Sequence, residues 1–199
     1  MPGPARGRYL HLFIWIVYLE LVKMPGLTAR KVEKDSPVEA FCRELYEETF
    51  DRRMRVPYGD LWKVADKGYA DYVAVFDSDI FLGFYYVFFH KENVFIYYLA
   101  VCPEMRDRGY GTDIVDLIKD SYPEKRVVVC IEAPHVDDKL VSVRYRRLGF
   151  YSRNGFIDTL YKFESVGIMY EVLYWGRQFD PEDIQDILRA FRRQCGFRR

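Results

Sequence analysis

The sequence predicts an α/β chain of the α+β kind: a mixed, mostly antiparallel sheet flanked by helices, with a C-terminal hairpin and helix. Three observations carry this. Apolar runs at residues 72–76, 80–90 and 94–101 are separated only by the short polar turns Asp77-Ser78-Asp79 and Lys91-Glu92-Asn93, the pattern of an antiparallel meander. The third run leads into a glycine-bearing turn, an amphipathic helix and a further apolar run at 126–132, which together make a parallel, right-handed strand–helix–strand unit. Runs at 156–163 and 168–175 then flank Glu164-Ser165-Val166-Gly167 as a closing hairpin, and a last helix follows Asp180-Pro181.

The remaining elements follow in chain order. Residues 27–33 suit a first strand, and Asp35-Ser36-Pro37 is a helix start, with Ser36 as N-cap and Pro37 at the first helical position. The helix over 38–49 leads into a charged loop closed by Pro57, and a short helix over 60–67 ends at Gly68. The run Phe95-Ile96-Tyr97-Tyr98-Leu99-Ala100-Val101 is apolar on both faces and belongs at the centre of a sheet. In the helix after the glycines, Ile114, Val115, Leu117 and Ile118 form the apolar side, while Asp113, Asp116, Lys119 and Asp120 face water. A basic helix runs from Asp137-Asp138 to about Arg153 and stops at Asn154-Gly155.

Composition narrows the class. A chain of 199 residues with half its residues apolar, 17 tyrosines and 15 phenylalanines can bury a core of its own, which excludes disorder. Thirty basic residues balance thirty acidic ones, so no overall field draws the chain to nucleic acid or to a membrane surface. Cys42, Cys102, Cys130 and Cys195 show neither metal-ligand spacing nor a disulfide framework, and a reducing cytoplasm is the expected compartment. The apolar run at 10–19 is about half the ~20 residues of a membrane span. It reads as an extension at 1–23 outside a domain at 24–199, with a packed or partner-binding helix and a signal anchor as the other readings.

The stretch Leu99-Ala100-Val101-Cys102-Pro103-Glu104-Met105-Arg106-Asp107-Arg108-Gly109-Tyr110-Gly111-Thr112 organises the chain. It ends a strand and opens a helix, whose unpaired N–H groups and positive dipole end suit an anion. Ile114 stands where a dinucleotide G-x-G-x-x-G would need glycine, and no G-x-x-x-x-G-K-[ST] phosphate loop is present. The spacing Arg106-x-x-Gly109-x-Gly111 resembles the acyl-coenzyme A loop of the GNAT N-acetyltransferases. The resemblance covers about residues 27–175 and is similar to bacterial members. It implies the GNAT fold, acetyl-coenzyme A as co-substrate and no metal. It also implies coenzyme contacts from Leu99, Ala100, Val101, Arg106, Asp107, Arg108, Gly109, Tyr110, Gly111 and Thr112.

Many members end their last core helix with F-Y-x-x-x-G-F, and Phe150-Tyr151-Ser152-Arg153-Asn154-Gly155-Phe156 fits without a gap. The earlier echo Tyr145-Arg146-Arg147-Leu148-Gly149-Phe150 would end the helix two turns early, so the family tyrosine falls at Tyr151. Where the family often has Asn and Ala, this chain has Arg144 and Arg147, which removes a side-chain hydrogen bond to pantetheine and points to extra phosphate contacts.

The implied reaction is direct attack of an amine on the thioester through a tetrahedral intermediate. A backbone N–H near Val101 would meet the oxyanion. The pantetheine amides would add as a strand along 99–101, and Tyr151 would protonate the leaving thiolate. With ordinary pKa values of ~10 and ~8.5 that transfer is uphill by only ~2 kcal/mol. Glu132 is the first candidate base, followed by Glu47, Glu48 and His135. The loop at 50–60, with Asp51, Arg52, Arg53, Arg55 and Tyr58, should line the acceptor pocket and allows acidic, basic or aromatic partners. The acceptor is a small-molecule or peptide amine, and a homodimer is left open. The other class of function compatible with these residues is a catalytically silent acyl-coenzyme A-binding sensor or interaction module.

Overall fold

The computed structural model describes residues 26–134 and 140–196. The apolar run at 10–19, the boundary at Met24, His135 and the Asp137-Asp138 helix opening lie outside the described residues.

The strands are β1 (Leu27–Lys31), β2 (Ala70–Asp77), β3 (Ile80–His90), β4 (Asn93–Val101), β5 (Arg126–Glu132), β6 (Ile157–Ser165) and β7 (Ile168–Trp175). They form one sheet in the order β1-β2-β3-β4-β5-β7-β6, antiparallel throughout except for the parallel pair β4–β5. The predicted meander, the parallel unit and the closing hairpin are all present, and β4 is the middle strand of seven. The helices are α1 (Pro37–Thr49), α2 (Tyr58–Asp66), α3 (Tyr110–Ser121), α4 (Val141–Arg153) and α5 (Ile184–Cys195).

Both faces of the sheet are buried, as β3 shows residue by residue. Phe84, Tyr86 and Phe88 point into a core that also holds Tyr46 of α1, Leu61 of α2 and Phe191 of α5. Tyr85 and Val87 point into the opposite core with Ile114 and Ile118 of α3 and Tyr151 of α4. The two-residue side-chain period of a strand makes this alternation, and cover on both faces explains why the run is continuously apolar.

Local chemistry sets the helix ends. The Ser36 hydroxyl accepts the Glu39 N–H at 3.1 Å and Pro37 opens α1. Helix α2 begins at Tyr58, two residues before the expected start, directly after Pro57 fixes the backbone. Asp180 accepts the Glu182 N–H at 3.0 Å in the turn ahead of α5. The expectation that Lys119 faces water is corrected: its side chain is only 12% exposed. Its ammonium donates to the Asn154 carbonyl at 2.8 Å and lies over Phe156 and Trp175. The unpaired carbonyls at the end of α4 need donors, and Lys119 supplies one across the helix pair.

Candidate active site

The parallel pair at the centre of the sheet opens into a wedge. β4 pairs with β5 only through Asn93–Ile96 and Arg126–Val129. Beyond that point β4 continues along β3 to Val101, and β5 continues along β7 to Glu132. The parting begins at a bulge. Tyr86 pairs with Tyr98 and Val87 with Ile96, so Tyr97 is an extra residue on β4. An extra residue raises local twist and turns the strand away from its neighbour.

The parting leaves backbone groups free. The Cys102 N–H donates to Leu82 of β3 at 2.8 Å. Amide direction alternates along a strand, so the N–H groups of Leu99 and Val101 point toward the opening. Gly83 holds β3 against this segment: a Cβ there would lie 2.1 Å from the Ala100 carbonyl oxygen. Leu99 and Val101 themselves are half-buried, and Ala100 is buried.

The predicted loop sits where the opened strand ends. Arg106 Nε donates to the Val101 carbonyl at 3.1 Å, and the Tyr110 hydroxyl donates to Asp77 at 2.9 Å. Gly109, at φ 92°, is the N-cap of α3, and its carbonyl accepts from Thr112 and Asp113. The amides of Gly109, Tyr110 and Gly111 precede these first helical bonds and have no partner within the helix. Asp107, Arg108 and Thr112 are exposed beside them. The two glycines differ. Nothing lies within 4 Å of a Cβ built on Gly109, whereas one on Gly111 would meet the Phe150 ring at 3.2 and 3.3 Å. Gly109 therefore leaves the space at the helix start open, and Gly111 lets α3 approach α4.

The end of α4 explains the tyrosine motif. The Gly155 N–H donates to Ser152 at 3.0 Å and the Phe156 N–H to Tyr151 at 3.1 Å, with Gly155 at φ 76°. This is a Schellman stop, whose usual apolar contact is between these same two positions. Here the Tyr151 and Phe156 rings lie 5.2 Å apart. The Gly-Phe pair at 155–156 thus fixes the register, and Tyr151 is the buried residue of α4, 6% exposed. Its hydroxyl has no hydrogen-bond partner among the described residues. Burial pushes the phenol up to about 12, with Arg147 pulling in the other direction. Tyr145 is 55% exposed on the helix surface.

Glu132 ends β5 in a cluster of ion pairs. Arg144 reaches it at 2.8 Å and Arg147 at 3.2 Å, and the carboxylate side chain is 14% exposed. The two arginines expected to meet phosphates are therefore engaged with Glu132, the first candidate base. Glu47 is exposed and paired with Arg43 at 3.0 Å, and Glu48 is exposed on α1.

Three groups that the sequence reading did not single out complete the site. The Tyr98 hydroxyl accepts the Val56 N–H at 2.9 Å and donates to Met54 at 3.0 Å. The Tyr46 hydroxyl donates to the Val56 carbonyl at 2.7 Å, so the loop after α1 is pinned to β4 just past the bulge. Tyr170 of β7 pairs with Glu132 across the ladder, and it lies within electrostatic reach of Tyr97, Tyr98, Arg53 and Arg144. A tyrosine inside an apolar strand looks like core from sequence, and only the packed fold shows the Tyr98 hydroxyl meeting that of Tyr46 at 3.3 Å.

The family follows from sequence as well as from shape. Residues 33–156 match the family model of the acetyltransferase (GNAT) family, and the chain belongs to that family. The fold is similar to that of a GNAT-family acetyltransferase from Bacteroides thetaiotaomicron, at 21% identity and a TM-score of 0.68 over 83% of this chain and 96% of that one. It is also similar to a GNAT acetyltransferase from Elizabethkingia anophelis with acetyl-CoA bound, at 13% identity and a TM-score of 0.52 over 77% and 100% of the two chains. A chimeric spermidine N-acetyltransferase from Vibrio cholerae aligns at 14% identity with a TM-score of 0.56, over 74% and 95%. Comparison with curated proteins gives no match.

Proposed function

We propose that this chain is an N-acetyltransferase that moves the acetyl group of acetyl-coenzyme A to an amine by direct attack. The observation that carries the reading is the wedge: a strand with free amides at Leu99 and Val101 that ends at a helix N-terminus with free amides of its own. A pantetheine arm has the amide groups to pair with the first, and a pyrophosphate has the charge for the second. The Elizabethkingia relative, of the same fold, holds acetyl-CoA.

The chemistry balances with the residues present. The amine nitrogen attacks the thioester carbonyl from the side of the 50–57 loop, and the Val101 N–H meets the oxyanion. The intermediate collapses, the carbon–sulfur bond breaks and the thiolate takes the Tyr151 phenol proton. Solvent removes the acceptor's extra proton and reprotonates Tyr151. Glu132 acts through Arg144 and Arg147, which tie α4 to the end of β5 and so position Tyr151. An acetyl-cysteine route has less support: burial raises the thiols of Cys42, Cys102, Cys130 and Cys195. The thiolate is the nucleophilic form.

Release of free thiol from acetyl-coenzyme A across a broad panel of amines tests the proposal. Amine-dependent release supports it. Tight coenzyme binding with no release from any amine would make the chain a binding module instead. The compartment in this reading is the cytoplasm; among the described residues no helix is long and apolar enough to cross a membrane.

A further inference from the structure

The loop between α1 and α2 carries a guanidinium with one buried N–H that no described residue accepts. Met54 and Val56 are held by the Tyr98 and Tyr46 hydroxyls at 3.0, 2.9 and 2.7 Å, so Arg55 is fixed between two pinned residues. Arg55 Nε is buried and has no hydrogen-bond partner among the described residues. Its guanidinium lies near enough to the Tyr46 hydroxyl to oppose the effect of burial on that phenol. Tyr46 in turn packs edge-on against Tyr98, 4.9 Å between ring centroids, at the start of the open segment of β4.

Asp51 feels the Arg55 charge but makes its hydrogen bonds elsewhere. Asp51, the acid of the same loop, binds Arg53 through Nε at 3.1 Å and through its backbone N–H at 2.8 Å. Glu132, across the wedge, is held by Arg144 and Arg147 at 2.8 and 3.2 Å. The loop also carries Arg52, so its cations outnumber its one acid. A buried guanidinium N–H left unpaired costs free energy, and a planar fork is the group best matched to a carboxylate or phosphate. A substrate-recognition site is one place where such a cost is recovered.

We infer that the acceptor amine of this enzyme carries an anionic group, a carboxylate or a phosphate, which docks on Arg55 while the amine reaches the thioester. The inference rests on the transferase reading of the wedge and narrows its substrate class. It sets this chain apart from a spermidine acetyltransferase, whose acceptor is a polycation that this loop would repel.

The test uses matched pairs of amines: an amino acid and its amide, an aminoalkyl phosphate and the parent amino alcohol, with spermidine as the cationic control. Thiol release gives kcat/KM for each. The anionic member of at least one pair should be favoured by about tenfold or more, chiefly through KM, as a charge-assisted hydrogen bond implies. The pair that discriminates identifies carboxylate or phosphate. Arg55→Gln should bring that preference to within about threefold and leave acetyl-coenzyme A affinity unchanged, with Arg55→Lys intermediate. Equal use of both members, preference for spermidine, or a preference that survives Arg55→Gln overturns the inference.

A second measurement needs no turnover. Coenzyme A-loaded protein should bind an N-acetyl amino acid or an N-acetylaminoalkyl phosphate more tightly than its uncharged counterpart, and Arg55→Gln should abolish the difference. Indifferent binding sinks the anion site alone, whereas failure to bind coenzyme A at all sinks the transferase reading beneath it.

Discussion

Replacing Tyr151 by phenylalanine removes one oxygen and leaves the ring between Phe150 and Phe156, whose centroids lie 5.0 and 5.2 Å away. Among the described residues the hydroxyl has no hydrogen-bond partner, so its loss orphans no buried group there. Stability should therefore stay within ~0.5 kcal/mol of the parent. Turnover should not. With the phenol near about 12 and a thiol at ~8.5, full proton transfer to the thiolate is uphill by ~5 kcal/mol. That is more than the ~2 kcal/mol of an ordinary tyrosine, yet it fits beneath the ~16 kcal/mol barrier of a reaction at ~10 s⁻¹. Loss of this general acid should lower kcat ~10²-fold, with acetyl-coenzyme A affinity unchanged by titration calorimetry. Tyr145→Phe, at a residue 55% exposed, should be silent in both assays. Turnover of Tyr151→Phe within twofold of the parent, or a collapse in Tyr145→Phe, would refute the proton-donor assignment.

The same shift fixes a pH profile. A phenol raised by burial to about 12 stays protonated through pH 10, so kcat should climb as the acceptor ammonium loses its proton and show no descending limb near pH 10; a fall there would mean the donor has an ordinary tyrosine pKa. Gly109→Ala forces a Cβ onto φ 92° and into the open face of the α3 amides, so it should cost ~1–2 kcal/mol of stability and weaken acetyl-coenzyme A binding. Gly111→Ala gains ~1 kcal/mol of helix propensity against a 3.2 Å contact with Phe150 and should leave the urea midpoint nearly unchanged; weaker coenzyme binding by Gly111→Ala than by Gly109→Ala would reverse the two assignments. Gly83→Ala must part β3 from β4, because its Cβ would fall 2.1 Å from the Ala100 oxygen. It should cost ~3 kcal/mol in urea denaturation, and an unmoved midpoint would contradict the packing.

The sequence carried the elements well because their signals are local. Ser36-Pro37, the turn at 77–79 and the period-two alternation of β3 each depend on a few neighbouring residues, and each stands in the structure as read. The end of α4 was legible for the same reason: Gly155-Phe156 is a helix stop whose hydrogen bonds reach back only to Ser152 and Tyr151. What sequence could not give was long-range. The bulge at Tyr97 depends on the pairing of β4 with β3, and nothing in an all-apolar run marks one residue as extra. The only local hint was Gly83, an isolated glycine inside a strand, which signals close backbone approach. Arg144, Arg147 and Glu132 lie 12 and 15 residues apart in the chain, and their ion pairs appear only once α4 packs beside β5. Lys119 follows the same logic in part: its ion pair with Asp116 is local, but its burial comes with a carbonyl 35 residues away.

The central claim is that acetyl-coenzyme A enters the wedge and pairs with the open edge of β4. Amide hydrogen exchange followed by NMR, with and without acetyl-coenzyme A, tests it most directly. The account predicts saturable binding with new protection at Leu99 and Val101 on the strand and at Gly109 and Gly111 on the helix start, while Ala100, already facing β3, changes little. Binding that leaves Leu99 and Val101 as exchangeable as in the free protein would place the coenzyme elsewhere and contradict the account.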